Sequence, residues 1–373
     1  MLRIDRRLIE NFDWIMFSVV IVISLIGIMT IYSATRPIAA EEHPGFYMKQ
    51  AYWLVLGIIA LFVVVSIDYF WLSRYALHLY IIGIILLLSV LIFGKTGLGA
   101  KRWLGFGPFT FQPSEFFKLV YLIMISKHLS TLKNSLDTPH LFRMFFIIVL
   151  FPFLLLIKQP DLGTSLIVLA IFVFLVLTKG IQKRLAILLV IIGIVSLPFL
   201  GNIFWGSLKD YQKSRIVAFI EPGADPTGTG YHLTQSKVTI GSGKFIGKGY
   251  LHGTQGPFRF LPEKHTDFIF AVFAEEWGFL GSLVLLFFYF VLIIRGIDTI
   301  DKAKDDFGRL LASGITFMFF MYFFINIGMT LGIMPVVGIP LPFMSYGGTA
   351  LLSNFVAIGI LINIRTRRFE LFH

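Results

Sequence analysis

Residues 14–33 read WIMFSVVIVISLIGIMTIYS and contain no charged side chain. A transmembrane helix needs about 20 mostly apolar residues, because each residue adds about 1.5 Å of rise across a hydrocarbon core of about 30 Å. The run is too long for the apolar core of a secretory signal peptide, and no small-residue cleavage site follows it. We therefore predict that this stretch is the first transmembrane helix and not a cleaved leader.

The composition extends that prediction to the whole chain. Of 373 residues, 57% are hydrophobic and only 14% are charged, and the mean hydropathy is +0.83. A soluble domain has a charged fraction of about 25%, so residues 1–373 are predicted to form a single integral-membrane domain. The chain has no cysteine, which excludes disulfides and thiol chemistry. The net charge of +11 is typical of basic cytoplasmic loops in a membrane protein and does not indicate a nucleic-acid partner.

The length rule predicts an all-α polytopic protein with about ten transmembrane helices. The predicted spans lie near residues 14–35, 49–67, 72–93, 113–129, 140–157, 162–178, 183–200, 267–294, 307–330 and 348–364. Lys and Arg concentrate in the connections on the side of the N-terminus, which predicts that both termini are cytoplasmic. The long connection between the seventh and eighth spans, about residues 201–266, is then extracytoplasmic.

Prolines interrupt this pattern in several places, among them Pro198 near the end of the seventh predicted span. Pro152 lies within the fifth predicted span. The segment from Gly332 to Gly348 is apolar but contains three prolines and four glycines, which a continuous helix does not accommodate. Irregular backbone at membrane depth occurs only against protein or a wet cavity, so we predict a re-entrant or short outer-leaflet segment that lines a cavity. An ordinary outer loop is the alternative.

The most polar part of the chain runs from Gly230 to Gly278 and includes Leu261-Pro-Glu-Lys-His-Thr-Asp267. The predicted outer connection holds eight Lys and Arg residues, and an anionic ligand would explain such an excess on that side. A carboxylate at Asp267 can act as a base on a substrate hydroxyl while nearby cations stabilise anionic parts of the substrate. The alternative is that Asp267 is the N-cap of the eighth span.

Three further groups combine charge with membrane depth. Lys101 and Arg102 can hold phosphate and Trp103 suits the membrane interface, although the three can instead be an interfacial anchor. Glu115 and Lys118 are three residues apart on one helical face, either in a cavity or as a structural ion pair. Asp161 can cap the sixth span or join a cation or substrate site. Gly241 to Gly249 lacks the Gly-Lys-Ser/Thr ending of a phosphate-binding loop, so we interpret it as turns packed on the membrane surface.

Seven motifs in one order along the chain resemble the SEDS family of shape, elongation, division and sporulation proteins. They are Lys101-Arg-Trp103, Gln112-Pro-Ser-Glu-Phe-Phe-Lys118, Lys158-Gln-Pro-Asp-Leu-Gly-Thr164, Gln235-Ser236, Gly253-Thr-Gln255, Leu261-Pro-Glu-Lys-His-Thr-Asp-Phe-Ile-Phe270 and Leu341-Pro-Phe-Met-Ser-Tyr-Gly-Gly348. The Gly253-Thr-Gln255 motif, the stretch Pro335-Val-Val-Gly-Ile-Pro-Leu-Pro342 and the short tail are more similar to the elongation branch than to the division branch.

The resemblance implies a peptidoglycan glycosyltransferase that polymerises Lipid II at the outer face of the bacterial cytoplasmic membrane. The implied partners are the nascent glycan strand, a class B penicillin-binding protein and other membrane proteins of the elongation complex. The essential acid of the family falls on Asp267. The residues implied in substrate binding are Lys101, Arg102, Trp103, Glu115, Lys118, Asp161, Gln235, Ser236, His265, Thr266 and Ser345.

Our mechanistic hypothesis is that Asp267 removes a proton from the acceptor hydroxyl as that oxygen attacks the anomeric carbon of the donor. Arg215 and Lys264, with Lys101 and Arg102, would stabilise the departing pyrophosphate, and a divalent cation such as Mg²⁺ or Mn²⁺ is possible. Neighbouring cations favour the ionised carboxylate and weaken it as a base, so Asp267 can instead hold the cation or orient the hydroxyl. The rival interpretations are a Lipid II flippase and a non-enzymatic scaffold of the elongation complex.

Overall fold

The computed structural model describes residues 10–36, 45–97, 100–106, 109–132, 137–181, 210–221, 228–254 and 264–368, together with residues 187 and 206. Its helices are α1 (Trp14–Thr35), α2 (Phe46–Ser66), α3 (Phe70–Arg74), α4 (Ala76–Phe93), α5 (Pro113–Ser130), α6 (Thr138–Met144), α7 (Phe151–Lys158), α8 (Leu162–Lys179), α9 (Asp210–Ile220), α10 (Thr229–Ser242), α11 (Ile269–Asp301), α12 (Asp306–Thr330) and α13 (Gly348–Thr366). A π-helical turn, Phe145–Leu150, joins α6 to α7.

Within those residues, eight helices are long and apolar enough to cross a membrane, with α6 and α7 counted as one. The helical-bundle prediction is confirmed, and each predicted span that falls in the described residues coincides with a helix. The seventh predicted span, residues 183–200, lies outside the described residues except for residue 187. The helix α5 coincides with the fourth predicted span, but its charged residues make it too polar to be among the eight.

Two parts of the fold were not predicted. A small antiparallel sheet joins α4 to α5 in the order β1 (Lys95–Gly97), β2 (Ala100–Phe106) and β3 (Phe109–Phe111). In the predicted outer connection, α9 and α10 are helical although neither is apolar enough to resemble a span. The chain is mostly helical, as predicted, but it adds this small sheet, and the long connection contains folded structure.

The described charges gather at the two ends of the bundle. At one end Arg365 of α13 contacts Asp13 at 3.2 Å, and Arg295 of α11 contacts the same carboxylate at 2.8 Å. Because Asp13 is fully buried, this pairing links the helices nearest the two chain ends. This end also carries Lys179, which pairs with Asp306 at 3.5 Å. Because it holds both chain ends and these basic residues, it is the end predicted to be cytoplasmic. The side of the membrane that it faces stays a prediction.

The predicted interruption at Pro152 has a specific consequence. Proline has no N–H, so the carbonyl four residues earlier, that of Ile148, loses its usual helical donor. The hydroxyl of Tyr80 on α4 donates to this carbonyl at 2.8 Å. The π-helical turn that ends just before Pro152 is therefore held by a neighbouring helix.

We expect Tyr80→Phe to lower the free energy of unfolding by about 1 kcal/mol, because it leaves a buried carbonyl without a donor. Detergent-denaturation titration of the purified protein measures this change. Tyr52→Phe is the control, since Tyr52 is 71% exposed on α2. Equal stability of the two variants would contradict the role given to Tyr80.

The helix α11 bends sharply at Gly278, where φ is 64° and ψ is −162°. The bend frees backbone groups on both sides of the glycine, and residues 244–249, the kink loop, bind them. The amide of Lys248 donates to the carbonyl of Glu275 at 3.0 Å, and that of Gly249 donates to the carbonyl of Glu276 at 2.9 Å. The amide of Phe279 in turn donates to the carbonyl of Lys244 at 3.0 Å. The segment from Gly241 to Gly249, which we interpreted as surface turns, is thus hydrogen-bonded to a transmembrane helix through its kink loop.

Candidate active site

A turn at residues 264–268, the Asp267 turn, leads into α11. Its backbone is fixed by three hydrogen bonds to successive carbonyl oxygens. The amide of Tyr346 donates to His265 at 2.8 Å, the hydroxyl of Ser345 donates to Thr266 at 2.7 Å, and the side-chain amide of Asn326 donates to Asp267 at 3.0 Å. All three donors lie in α12 or in the connection between α12 and α13. The position of Asp267 is therefore set by parts of the chain far from it in sequence.

Asp267 is not the N-cap of α11, so the alternative role predicted for it is wrong. The helix α11 begins at Ile269, and its N-cap is Phe268. The Asp267 carboxylate instead lies beside Gly338, since a Cβ on that glycine would be 3.4 Å from Oδ2 of Asp267 and 3.4 Å from Nη1 of Arg215. A guanidinium and a carboxylate thus flank the same backbone position, whose φ of 80° favours glycine.

The segment from Gly332 to Gly347 is irregular, as predicted, and it connects the parts of the site. Arg215 donates through Nη1 to the carbonyl of Val337 at 2.9 Å. Gly163, in the first turn of α8, also packs against this segment at Ile339 and Val337. Several of its apolar side chains are buried. The segment therefore packs against protein, while the cavity that it was predicted to line stays a prediction.

The side chains of His265 and Ser345 support the Asp267 turn. The imidazole of His265 stacks on Phe46, with ring centroids 4.9 Å apart, and lies beside Tyr346. Ser345 is buried and accepts from the amide of Leu341 at 2.8 Å. Burial raises the pKa of the Tyr346 hydroxyl, so it stays protonated at neutral pH. These contacts give both motif residues a positioning role.

Asp161 is the N-cap of α8, which confirms the simpler of its two interpretations. Its carboxylate accepts from the amide of Thr164 at 3.3 Å and from the hydroxyl of Thr164 at 2.9 Å. It also lies 3.8 Å from Nη1 of Arg102 and accepts from the hydroxyl of Ser114 at 3.3 Å. The capping carboxylate is thus also the meeting point of the sheet, α5 and α8.

Lys101 and Arg102 have different partners, as successive residues of a strand point to opposite faces. The ammonium of Lys101 donates to the last carbonyls of α4, at 2.9 Å to Leu91 and 3.0 Å to Ile92. The guanidinium of Arg102 donates to the carbonyls of Gln159 and Pro160. Both cations therefore hold the sheet against helix ends. Trp103 is half-buried in β2, opposite Lys95 of β1.

Glu115 and Lys118 form the predicted ion pair, 2.8 Å apart and buried. The ammonium of Lys118 also lies 4.6 Å from the centre of the Tyr322 ring on α12. Ser114, which directly precedes Glu115, donates to Asp161, so the pair lies next to the Arg102 and Asp161 group. The pair joins α5 to α12, as its structural interpretation requires.

Gln235 and Ser236 lie on α10, apart from these groups. The hydroxyl of Ser236 is buried and donates to the carbonyl of Thr330, the last residue of α12, at 2.8 Å. The carbonyl of Gln235 accepts from Thr239 within the helix at 2.6 Å. This placement makes Ser236 a packing contact. Lys264 and Thr266 lie in the Asp267 turn itself.

Two site residues were missed from sequence. Asn326 and Gln50 are buried amides in apolar helices. Gln50 donates to the carbonyl of Ser345 at 3.0 Å and accepts from the amide of Gly347 at 3.2 Å. A polar residue within a span signals a partner in the bundle, and that signal was available at both positions.

Among the described residues, no group of three or more His, Asp and Glu side chains could hold a metal ion. Mg²⁺ is commonly held by one or two carboxylates together with substrate phosphates and water. The single carboxylate of Asp267 fits that arrangement, whereas a metal cage made of protein alone does not fit these residues.

These features define a class: a polytopic helical membrane protein whose polar site presents one carboxylate and one guanidinium at the end of the bundle opposite to the chain ends. Residues 13–370 match the FtsW/RodA/SpoVE cell cycle protein family. The chain belongs to this family, which confirms the resemblance found in the motifs.

Relatives with assigned functions agree with that placement. The chain is 40% identical over 336 residues to the peptidoglycan glycosyltransferase MrdB of Escherichia coli strain K12, covering 88% of each chain. It is 31% identical over 432 residues to the peptidoglycan glycosyltransferase RodA of Treponema pallidum strain Nichols, covering 97% of this chain and 99% of the relative.

Two solved structures share the fold. A peptidoglycan synthase complex, described as coordinating polymerization and crosslinking, contains a chain with a TM-score of 0.81 and 29% identity, covering 96% of this chain and 99% of that one. The crystal structure of the rod shape determining protein RodA of Thermus thermophilus gives a TM-score of 0.70 and 28% identity, covering 96% of this chain and 98% of that one.

Proposed function

We propose that this chain is a peptidoglycan glycosyltransferase that polymerises Lipid II into β-1,4-linked glycan strands at the outer face of the bacterial cytoplasmic membrane. Its relatives carry that activity in their names. The observation in this chain that supports it most directly is the Asp267 turn, whose three carbonyls are held while its carboxylate lies beside the same glycine as Arg215. A fixed acid next to a fixed cation suits a displacement that leaves an anion.

In the proposed reaction, the 4-hydroxyl of a terminal N-acetylglucosamine attacks the anomeric carbon of the donor. The new bond is β-1,4, the α-linked bond to pyrophosphate breaks with inversion, and undecaprenyl pyrophosphate leaves with the electron pair. The Asp267 carboxylate accepts the proton of the attacking hydroxyl. Arg215 stabilises the departing pyrophosphate, and Lys264 in the same turn adds positive charge.

Of the four basic residues predicted from sequence to stabilise the pyrophosphate, the proposed reaction uses Arg215 and Lys264. Lys101 and Arg102 are bonded to backbone carbonyls, so their role is to hold the sheet at the site. A divalent cation, when bound, would neutralise charge on the pyrophosphate, and Asp267 is the residue that would hold it.

We propose a class B penicillin-binding protein as the partner that crosslinks the strands, in the elongation complex of the cell. A structural relative belongs to a complex described by both polymerization and crosslinking.

The experiment that tests the function is polymerisation of fluorescent Lipid II by the purified full-length chain, alone and with its class B partner, with and without a chelator. Ladders of glycan strands are expected. Transfer of Lipid II across vesicles without any ladder would support a flippase and contradict the proposal. If the assay yields neither glycan ladders nor transferred Lipid II, the result would support a scaffold and contradict the proposal.

Asp161 allows the cap to be separated from the charge. Asparagine is as good an N-cap as aspartate, whereas alanine costs about 1 kcal/mol. We expect Asp161→Asn to keep the melting temperature and Asp161→Ala to lower it, and both to weaken the contact with Arg102. Thermal unfolding in detergent measures the melting temperatures. The polymerisation rate measures the effect of the weaker contact with Arg102. Equal melting temperatures for the two variants would contradict the capping role.

A further inference from the structure

One buried amide ties the Asp267 turn to the segment that also holds Arg215. Asn326 lies near the end of α12 and is fully buried. Its Nδ2 donates to the carbonyl of Asp267 at 3.0 Å and to the carbonyl of Ile339 at 2.8 Å. Ile339 directly follows Gly338, beside which the Asp267 carboxylate and the Arg215 guanidinium lie. A single side chain thus fixes the backbone of the acid relative to the backbone that binds the cation.

The oxygen of the Asn326 amide, unlike its nitrogen, lacks a hydrogen bond to the described residues. Oδ1 of Asn326 is buried and has no hydrogen-bond partner in the part of the chain that the structure describes. A buried acceptor without a donor costs about 1–3 kcal/mol. This cost offsets part of the stability that the two donated bonds contribute, so Asn326 stabilises the fold less than an amide whose oxygen is also hydrogen-bonded.

We propose that Asn326 is a positioning residue for Asp267, an inference that rests on the proposed function of the Asp267 turn. The amide sets the place of the carboxylate relative to Arg215, and so its distance to both the attacking hydroxyl and the leaving pyrophosphate. A misplacement of about 1 Å at a reacting group can cost about 100-fold in rate.

The other two bonds of the turn localise the effect. Without Asn326, the carbonyls of His265 and Thr266 keep their donors from Tyr346 and Ser345. The turn stays attached, and within it only the carbonyl of Asp267 loses the donor that Asn326 supplies. Loss of Asn326 therefore lowers kcat for polymerisation and leaves the KM for Lipid II nearly unchanged, as expected for an interaction that matters in the transition state.

The chain offers a matched control in Asn363 of α13. It is also buried, and its Nδ2 donates to two backbone carbonyls, those of Val64 at 2.6 Å and Ile67. Asn363 lies at the opposite end of the bundle, next to Arg365. Removing either amide deletes two donated bonds of the same kind, and removing Asn363 also deletes the bond that its Oδ1 accepts from Nε of Arg367 at 2.9 Å. Of the two residues, Asn326 contacts the Asp267 turn.

The test compares Asn326→Ala, Asn326→Asp and Asn363→Ala in the full-length chain with its partner. Asn326→Asp keeps the size and shape of the side chain but replaces Nδ2 with an oxygen that faces both carbonyls. This variant therefore tests the loss of the donated bonds without a change in packing. We measure kcat and KM with fluorescent Lipid II per folded protein, together with melting temperature. Asn326→Ala and Asn363→Ala are both expected to lower the melting temperature, Asn363→Ala by at least as much because it also loses the bond from Arg367. Both Asn326 variants lower kcat about 10-fold or more with KM within about 3-fold, while Asn363→Ala keeps kcat.

Equal kcat values for Asn326→Ala and Asn363→Ala would overturn the inference, and so would a rise in KM with unchanged kcat. Should Asn326→Ala fail to fold, Asn326→Asp decides by the same two constants. Asp267→Asn is assayed beside them. A normal rate for that variant refutes the role of Asp267 itself, whereas an inactive Asp267→Asn with a normal Asn326→Ala refutes only the positioning role.

Discussion

The variant Asp267→Asn is expected to lose at least about 100-fold in the rate of Lipid II polymerisation. Asparagine has the size of aspartate but lacks its negative charge and its basic oxygen, and general-base catalysis contributes about 10²–10⁴-fold. The fold is expected to persist, because the backbone carbonyls of residues 265–267 keep the three hydrogen bonds that hold the turn. Gel analysis of the glycan strands measures the rate, and thermal unfolding measures the fold.

The control for Asp267→Asn is Asp137→Asn. Asp137 is an exposed N-cap, that of α6, and accepts from the amide of His140 at 3.1 Å. Asparagine preserves such a cap, so the control variant keeps its rate. A near-normal rate for Asp267→Asn would refute both the role as a base and the role as a cation ligand. If the wild-type rate survives a chelator while Asp267→Asn is inactive, the acid acts on the hydroxyl directly.

The bundle was predictable because hydrocarbon imposes one simple pattern, an apolar run of a fixed minimum length. Helices α1, α2 and α4 satisfy it with almost no polar interruption. The sheet is different: its strands are short, and the sequence around Gly97 and Gly105 has no clear alternation. The helices α9 and α10 are amphipathic or polar, and a rule that searches for apolar length does not detect them.

The site was predictable as a set of residue types and less so as a geometry. Asp267, Arg215 and Ser345 meet through the segment that ends at Gly347. Lys101 does not join them, because its ammonium binds the end of α4. The side chains of Asn326 and Gln50 bind backbone carbonyls, and any residue supplies a carbonyl. Such partners have no signature in the sequence, so only the packed structure shows which amides position the acid.

The second large effect is expected at Gly278, where α11 bends. Its φ of 64° and ψ of −162° belong to a region that essentially only glycine occupies, and another residue there costs about 1–3 kcal/mol. A Cβ at Gly278 would also lie 2.3 Å from the amide nitrogen of Gly247 and 2.6 Å from the carbonyl carbon of Ile246. Both are backbone atoms of the kink loop, so Gly278→Ala can fold only if the loop moves.

Movement of the kink loop releases several bonds together. The carbonyls of Glu275 and Glu276 lose the amides of Lys248 and Gly249, and the amide of Phe279 loses the carbonyl of Lys244. The side chain of Lys248 also pairs with the buried carboxylate of Glu275 at 2.6 Å. Backbone strain and broken bonds add, so we expect Gly278→Ala to destabilise the protein by more than about 4 kcal/mol. Denaturation in detergent and proteolysis of the kink loop measure the change.

Gly241→Ala is the matched control for this prediction. A Cβ at Gly241 would meet nothing within 4 Å, and alanine is the better helix former by about 1 kcal/mol, so its stability is expected to stay or rise. Equal stability of the two variants would contradict the kink-loop account. Because the eight residues of α11 before Trp277 follow directly from the Asp267 turn, the bend also sets the direction of that turn. The folded fraction of Gly278→Ala is therefore expected to polymerise Lipid II more slowly than that of Gly241→Ala.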